Sequence, residues 1–373
     1  MGLAQEAVLE TPSAPAERPR ADETPYLAAK RRYLPALTGL RFFLALWVIL
    51  NHLMDTGTEL DAWSLRLPHP MYVILHSSYL AVGIFFVLSG FVLARGYGSM
   101  VWNRGSFLRY GAGRIARIYP GYALSLLIVA PFIIQDRVPG KAGLVARYGL
   151  LLQGWAGTPP VHWNTPAWSL SCEIFFYLCF PLGAVCLSKI SWRNALAIGA
   201  AVCFLPVALL RLGVPDVWKP VIHLADFIMG ILTARAYELL LRSRRPFTGR
   251  GHWLYVPAIL LSAFFILNPE TIRGPIDLNG ALRPLNALLL IGLSLEGGVL
   301  ARWLSSRIMV FLGQTSYSMY ILHIPLLWWY RRLAAEPTPA VYVPAVVIIS
   351  AAVFRMLEQP ANRRIRRWCD SRI

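Results

Sequence analysis

The first apolar segment of the chain reads Pro35-Ala36-Leu37-Thr38-Gly39-Leu40-Arg41 and continues to Asn51-His52. It has about the 20 residues that an α-helix needs to cross the hydrocarbon core of a membrane. An arginine and a histidine inside such a helix are costly, so both are candidate functional residues. Arg41 and His52 are about three helical turns apart, which puts them on one face and roughly 16 Å apart along the axis. The segment therefore predicts a membrane-spanning helix that lines a reaction channel.

The composition predicts that the rest of the chain also lies in the membrane. Of its 373 residues, 56% are hydrophobic and 15% are charged, whereas a soluble domain carries roughly 25% charged residues. About ten apolar segments have the length of a spanning helix. We place them at roughly 33–54, 72–94, 118–135, 167–188, 194–212, 222–241, 253–269, 283–301, 310–330 and 340–358. The predicted fold class is an all-α integral membrane protein, a bundle of about ten transmembrane helices.

The net charge of +17 has two interpretations, nucleic-acid binding and membrane topology. When the N-terminus is placed in the cytoplasm, most lysines and arginines fall in cytoplasmic segments, as the positive-inside rule requires. The charge therefore indicates topology, and we expect no nucleic-acid partner and both termini in the cytoplasm. We expect a disordered tail over 1–32, a transmembrane domain over 33–358 and a basic tail over 359–373 that lies against anionic lipid.

Two arginines, Arg114 and Arg117, precede the third predicted span. Residues three apart share a helix face, and guanidinium groups bind phosphate through paired hydrogen bonds. The alternative is that both arginines only mark the cytoplasmic flank of a span.

The fourth and ninth spans each carry a polar stripe. Ser169, Glu173 and Tyr177 follow at intervals of four residues, and Ser316, Tyr320 and His323 also share one face. Each stripe has a structural alternative, an ion pair for the glutamate and a hydroxyl-bonded buried imidazole for the histidine. Pro325 should free a backbone carbonyl, because proline leaves one intrahelical hydrogen bond unmade.

The loop before the fourth span, 136–166, is expected to be a re-entrant or interfacial element on the outer side. Irregular backbone is tolerated at membrane depth where it lines a cavity. His162 in this loop is a weaker candidate for a functional role. The sequence contains no P-loop, no GxSxG, no HExxH and no clustered metal ligands, so we expect no metal.

These strings together resemble the type-3 membrane acyltransferases, which include O-acetylases of cell-surface polysaccharides and macrolide acyltransferases. The similarity covers about 33–366. Each motif alone is weak evidence, and the resemblance depends on six of them occurring in the same order. They are Leu40-Arg41 with Asn51-His52, Phe85 to Phe91, Arg114-x-x-Arg117, Trp168-Ser169-Leu170-x-x-Glu173, Ser316-Tyr317-Ser318-x-Tyr320-x-x-His323, and Glu358-x-Pro360.

The resemblance implies that an acyl group, usually acetyl, passes from cytoplasmic acyl-CoA to a hydroxyl of a sugar-containing acceptor such as a polysaccharide or a glycolipid. By analogy with the family, His52 acts as the base. An imidazole suits this role because it exchanges a proton near neutral pH. Glu173 and His323 are the other catalytic candidates, and Glu173 would orient the imidazole or hold its charge, although the sequence alone does not place Glu173 against His52. The donor would bind Arg41, Arg114 and Arg117. The acceptor would contact Asn51, Trp168, Ser169, Tyr177 and Tyr320.

We accordingly expect a multi-pass enzyme of a bacterial inner membrane that contacts lipid and acts as a monomer or a homo-oligomer. The alternatives are acylation of a small natural product such as a macrolide, transport or lipid flipping without chemistry, and a scaffold for polysaccharide assembly. Transporters often contain inverted repeats, and none is found in this sequence.

The path of the acyl group is a separate question, since His52 lies roughly 28 Å from the cytoplasmic start of its helix. We favour a pantetheine arm that threads into the bundle. Cys172 and His323 are the candidate carriers if the acyl group instead passes along a protein relay.

Overall fold

The computed structural model describes residues 34–54, 64–98, 100–135, 141–155, 163–187, 190–213, 218–243, 248–271, 274–333 and 338–372. The predicted tail 1–32 and His162 lie outside these ranges. Helices and short turns make up the described residues, which contain no strand. The helices are α1 (Pro35–Met54), α2 (His69–His76), α3 (Tyr79–Tyr97), α4 (Arg104–Gln135), α5 (Lys141–Gly149), α6 (Trp168–Leu187), α7 (Trp192–Arg211), α8 (Lys219–Leu241), α9 (His252–Leu267), α10 (Gly274–Ser294), α11 (Gly298–Leu304), α12 (Arg307–Leu333), α13 (Pro339–Val353) and α14 (Gln359–Arg372).

The all-helical class is as predicted, and every predicted span overlaps one of these helices. Five described helical segments are long and apolar enough to cross a membrane: α1, α3, α4, α6 and the continuous segment from α13 into α14. A sixth appears if α10 and α11, bent by 76°, form one span. The helices α8 and α12 miss this count although they are long, because they carry polar side chains such as Asp226 and His323 that are buried inside the bundle.

Apolar side chains also cover much of the outside of the bundle. Leu127, Leu182, Phe204 and Ile348 are each about 70% exposed, on four different helices. Such an apolar outer surface is suited to lipid, which together with the apolar helices supports a membrane protein.

Three predicted spans have different bounds in the structure. The segment 72–94 is broken at Ser77–Ser78, where the indole of Trp47 donates a hydrogen bond to the Ile74 carbonyl at 2.7 Å. The third span begins fourteen residues earlier than predicted, so α4 is one helix from Arg104 that includes both Arg114 and Arg117. Similarly, α10 begins at Gly274 and contains Arg283 in its middle.

Prolines inside helices leave carbonyls open, and distant side chains bind them. Proline has no N–H, so the carbonyl four residues before it loses its intrahelical partner. Ile321 is four residues before Pro325, and Asn164 donates to the Ile321 carbonyl at 3.0 Å. The carbonyl that Pro325 was predicted to free is therefore bound by the Asn164 side chain. Tyr110 donates to the Tyr177 carbonyl, four residues before Pro181, at 3.1 Å.

Glycines set the closest helix crossings. A Cβ on Gly313 of α12 would lie 1.8 Å from the Thr38 carbonyl of α1, and one on Gly39 would lie 2.1 Å from the Leu304 carbonyl. On the other side of the bundle, a Cβ on Gly230 of α8 would lie 2.0 Å from the Val87 carbonyl of α3. Small residues allow such backbone approach between helices in membranes. The first crossing fixes α1 against α12, and these two helices carry the predicted histidines.

The segment before α6 enters the bundle. Trp163 donates to the Leu126 carbonyl of α4 at 2.9 Å, and fully buried Asn164 also donates to Ser125. The Tyr320 hydroxyl of α12 donates to the Pro166 carbonyl at 3.2 Å. The contacted positions are far from the ends of α4 and α12, so residues 163–167 lie among the helix middles, as a re-entrant element would.

Candidate active site

The two predicted histidines meet inside the bundle. His52, near the end of α1, and His323, in the middle of α12, approach with His52 Nδ1 3.4 Å from His323 Nε2. Their ring centroids are 5.1 Å apart. His323 is 1% exposed, whereas His52 is half-buried. Because 271 residues separate them in sequence, only the packing of α1 on α12 creates this pair.

The hydrogen bonds of the pair define which nitrogens carry protons. His323 Nδ1 is 2.7 Å from the Tyr320 carbonyl, and a carbonyl only accepts, so this nitrogen carries the hydrogen and His323 Nε2 holds the lone pair. His52 Nδ1 is 2.9 Å from the Val48 carbonyl and faces the His323 lone pair, so it is also the protonated nitrogen. The basic nitrogen of His52 is therefore Nε2.

The surroundings of the pair are aromatic and lie next to the inserted segment. The Tyr320 ring lies 6.1 Å from the His323 ring and 6.1 Å from that of Phe85. Ser169 donates to the Pro166 carbonyl at 2.9 Å, the same carbonyl that Tyr320 binds. Among the predicted substrate residues, Tyr320 is thus beside the histidines, and Asn51 precedes His52 on α1.

Arg114 lies in a second cluster that is built around tyrosines. It is 8% exposed and donates to the Tyr97 hydroxyl at 3.2 Å. Its guanidinium carbon is 5.4 to 5.8 Å from the ring centroids of Tyr97, Tyr110 and Tyr177. Its Nε is buried without a hydrogen-bond partner among the described residues. The aromatic cage compensates part of the cost of burying the cation.

Arg117, one turn further along α4, contacts a carboxylate. Its Nη1 is 3.6 Å from Glu358 Oε2, and its guanidinium lies 5.4 Å from the Tyr317 ring centroid. Ser318 donates to the other Glu358 oxygen. Glu358 closes a single π-helical turn, Phe354–Glu358, between α13 and α14. Such turns in membrane and soluble helices are frequent at functional sites.

Arg41 and Glu173 belong to this same cluster. Arg41 interacts electrostatically with Arg117, Glu173 and Glu358, and Glu173 interacts with all three arginines. The Tyr177 hydroxyl donates to Glu173 at 3.1 Å. Three guanidinium groups against two carboxylates leave an excess of positive charge, and Arg41 Nε is buried without a hydrogen-bond partner among the described residues. The cluster is suited to an anionic ligand.

The predicted site residues therefore form two groups. Arg41, Arg114, Arg117, Glu173 and Tyr177 are in the arginine cluster, and His52, His323 and Tyr320 form the other group. Both groups contact α1, along which Arg41 and His52 are roughly 16 Å apart. The sequence interpretation left open whether Glu173 orients His52; the contacts described for Glu173 are with Tyr177 and the arginines.

Trp168, the first residue of α6, lies in a third group that the sequence interpretation did not identify. Arg283 Nε donates to Asp226 Oδ1 at 2.6 Å, and both side chains are 1% exposed. Asp226 Oδ2 is 2.9 Å from His223 Nδ1, and the His223 ring lies 5.4 Å from that of Trp168. The only sequence feature that could have indicated this group is the His223-x-x-Asp226 spacing, which puts both side chains on one face of α8. Within the described ranges, no three His, Cys, Asp or Glu residues are placed to hold a metal ion.

Comparison with known proteins identifies the family. The profile described as "Acyltransferase domain" matches residues 34–354. The chain belongs to this acyltransferase family. The acyltransferase MdmB of Streptomyces mycarofaciens is 30% identical over 379 residues, which cover 90% of this chain and 93% of MdmB. This enzyme is thus an acyltransferase, as the motifs predicted.

In two further relatives the matching region covers only part of the relative's own length. The O-acetyltransferase OatA of Staphylococcus aureus is 24% identical over 380 residues, 89% of this acyltransferase and 58% of OatA. "Protein 2 in picA locus" of Rhizobium radiobacter is 48% identical over 62 residues, 16% of this chain and 31% of that protein. No solved structure matches.

Proposed function

We propose that this acyltransferase moves an acyl group, acetyl in the simplest case, from cytoplasmic acyl-CoA to a hydroxyl of a sugar-containing acceptor, with His52 as the general base. The observation that carries the proposal is the histidine pair. Its hydrogen bonds assign the Nδ1 hydrogen of His52 and leave Nε2 as the nitrogen that takes a proton. His323 acts as a positioning residue through its Nε2 lone pair.

The chemistry needs one proton transfer. The acceptor hydroxyl attacks the thioester carbonyl while His52 Nε2 takes its proton, and the tetrahedral intermediate then expels the CoA thiolate. The imidazolium returns the proton to that sulfur, so the products are an ester and free CoA. His52 begins and ends neutral, which avoids a permanent charge at a buried site.

The arginine cluster supports the donor role. CoA is a polyanion, and Arg41, Arg114 and Arg117 supply more positive charge than Glu173 and Glu358 neutralise. The Nε donors of Arg41 and Arg114 are buried without a hydrogen-bond partner among the described residues, and oxygens of the donor would satisfy them. In this arrangement Glu173 and Glu358 hold the arginines apart and in place while the donor is absent.

The positions of the same helices support an orientation of the bundle in the membrane. The Arg41 end of α1 packs against Gly313 near the start of α12, and α14 follows Glu358, which contacts Ser318 of α12. Both described chain ends thus lie at the arginine end of the bundle. We propose that this end faces the cytoplasm of a bacterial inner membrane, because it also carries much of the basic charge.

The acceptor is proposed to enter from the opposite side, near the inserted segment 163–167. The O-acetyltransferase relative favours an O-linked product. We propose a cell-surface polysaccharide or glycolipid as the acceptor, in contact with membrane lipid. A sugar-bearing macrolide is the alternative that the experiment below separates.

The test is acyl transfer by the purified protein in lipid nanodiscs. Radiolabelled acetyl-CoA is offered with a methyl glycoside, an alkyl glycoside or a sugar-bearing macrolide, and label in each acceptor is counted. We expect CoA-dependent label in at least one glycoside, and a loss of about 10²- to 10⁴-fold in His52→Gln, as expected when a general base is removed.

The matched control is His76→Gln. His76 Nδ1 also bonds the carbonyl four residues earlier, that of Tyr72, at 3.0 Å, so the change removes a histidine with the same local geometry from a different helix. This variant should retain the wild-type rate. Transfer that is independent of acyl-CoA, or equal loss in both variants, would contradict the proposal.

A further inference from the structure

The group around Trp168 contains three polar atoms that point to a ligand. Trp168 and His223 are half-buried and Lys219 is exposed, so a molecule from outside can reach them. The Lys219 ammonium lies 4.5 Å from the Trp168 ring centroid. The Phe86 ring closes the group, 6.1 Å from Trp168 and 5.1 Å from His223.

Three polar atoms of this group make no hydrogen bond within the described part of the chain, although the Lys219 ammonium also lies over the Trp168 ring. The Trp168 indole N–H, the Lys219 ammonium and His223 Nε2 have no hydrogen-bond partner among the described residues, whereas His223 Nδ1 is bound to Asp226. The first two atoms are donors. His223 Nε2 is an acceptor, because the hydrogen of the neutral ring is on Nδ1.

The support behind His223 is rigid and buried. Asp226 binds His223 through one oxygen and Arg283 through the other. Arg283 Nη1 also donates to the Val202 carbonyl at 3.0 Å, which Pro206 leaves open. The carboxylate and the guanidinium neutralise each other, so the pair fixes the imidazole ring and its tautomer without adding net charge.

The location relates this group to the proposed chemistry. Trp168 is two residues after Pro166, whose carbonyl binds Tyr320, a neighbour of His323. Phe85 and Phe86 are adjacent on α3, and their rings contact Tyr320 and Trp168 respectively. The Trp168 group is thus linked to the histidine pair through Tyr320 and the adjacent residues Phe85 and Phe86.

We infer that Trp168, Lys219 and His223 form a subsite for the sugar part of the acyl acceptor. This inference rests on the proposed function. An indole offers an apolar surface for the C–H face of a sugar ring. Two donors and one acceptor around it match hydroxyl groups, which both donate and accept. A few directed polar groups within an apolar lining are typical of small-molecule sites.

The test measures protection of His223 from diethyl pyrocarbonate, which modifies unprotonated imidazole nitrogens, and needs no acyl-CoA. The full chain in nanodiscs is treated with and without octyl β-D-glucopyranoside, and the modification rate of each histidine is read by peptide mass spectrometry. n-Octanol is the matched probe without a sugar. At ten times its Kd, the glucoside should slow modification of His223 about ten-fold, since only about one site in eleven stays unoccupied.

Two variants and one internal control make the result specific. Trp168→Leu should abolish the protection and Lys219→Met should weaken it, whereas Trp253→Leu, an exposed tryptophan on α9, should leave it intact. The modification rate of His252 should not depend on the glucoside. No protection of His223, or equal protection by n-octanol, overturns the subsite. Absence of acyl transfer in the radiolabel assay instead contradicts the proposed function, and the two failures are read independently.

Discussion

Replacing His323 separates its positioning role from a catalytic one. His323 accepts a long hydrogen bond, 3.4 Å, from the neutral His52 ring, and a neutral hydrogen bond contributes about 0.5–1.5 kcal/mol net. At 1.36 kcal/mol per ten-fold in rate, His323→Leu should lower kcat by about 2- to 13-fold. Its apolar side chain fills most of the ring's space, which limits the cavity left at this buried position. His323→Gln keeps an amide oxygen that can accept the bond and should recover much of the rate.

The assay is steady-state transfer from radiolabelled acetyl-CoA, with kcat and the KM for acetyl-CoA measured for wild type, both His323 variants and His52→Gln. We expect KM to stay constant in the His323 series, because the proposed donor site is the arginine cluster and not the histidine pair. A loss in His323→Leu as large as the loss in His52→Gln would refute the positioning role and assign the base or an acyl carrier to His323.

The other predictions concern the arginine cluster and the helix crossing. Arg114→Gln should raise the KM for acyl-CoA by about 13- to 160-fold, the equivalent of a charged hydrogen bond worth about 1.5–3 kcal/mol. The control Arg109→Gln removes an exposed arginine of the same helix and should leave KM unchanged. An equal effect of both variants would mean that Arg114 only marks the cytoplasmic flank of the span. Glu173→Gln should lower that KM, because it removes negative charge from a site for a polyanion, and a fall in kcat to the level of His52→Gln would instead place Glu173 in proton transfer. Gly313→Ala should lower the free energy of unfolding by about 1–3 kcal/mol through overpacking against the Thr38 carbonyl, as measured by thermal unfolding in detergent. The control is Gly111→Ala, where a Cβ meets no atom within 4 Å, and it should leave the free energy of unfolding unchanged.

Local sequence was sufficient to predict that most of the chain is helical and to predict some local features of the candidate site. The length and apolarity of 33–54 predicted α1 to within two residues, and this continuous helix keeps Arg41 and His52 about three turns apart. The presence of a proline at 325 predicted an open carbonyl, because the loss of its N–H is a local property. The identity of the group that binds this carbonyl, Asn164, depends on packing of distant segments.

What the sequence did not predict arises from long-range contacts. Asp226 and Arg283 are 57 residues apart, and each alone looks like an ordinary charge near a helix end. The predicted start of a span at Arg283 treated it as a flank, whereas α10 begins nine residues earlier and carries it into the core. The start of α4 at Arg104 was also missed, since Gly111, Gly113 and Pro120 favour a loop by propensity and packing overrides this preference.

The most direct test of the account is one turnover of radiolabelled acetyl-CoA with wild type, His52→Gln and His76→Gln, sampled both for protein-bound label and for label in the glycoside. Direct transfer with His52 as the base predicts that label moves from CoA to the glycoside in wild type and in His76→Gln without a protein-bound intermediate. In His52→Gln the label should stay on CoA. Label that accumulates on the protein and is lost in Cys172→Ala or His323→Leu, or unchanged transfer in His52→Gln, would contradict the account.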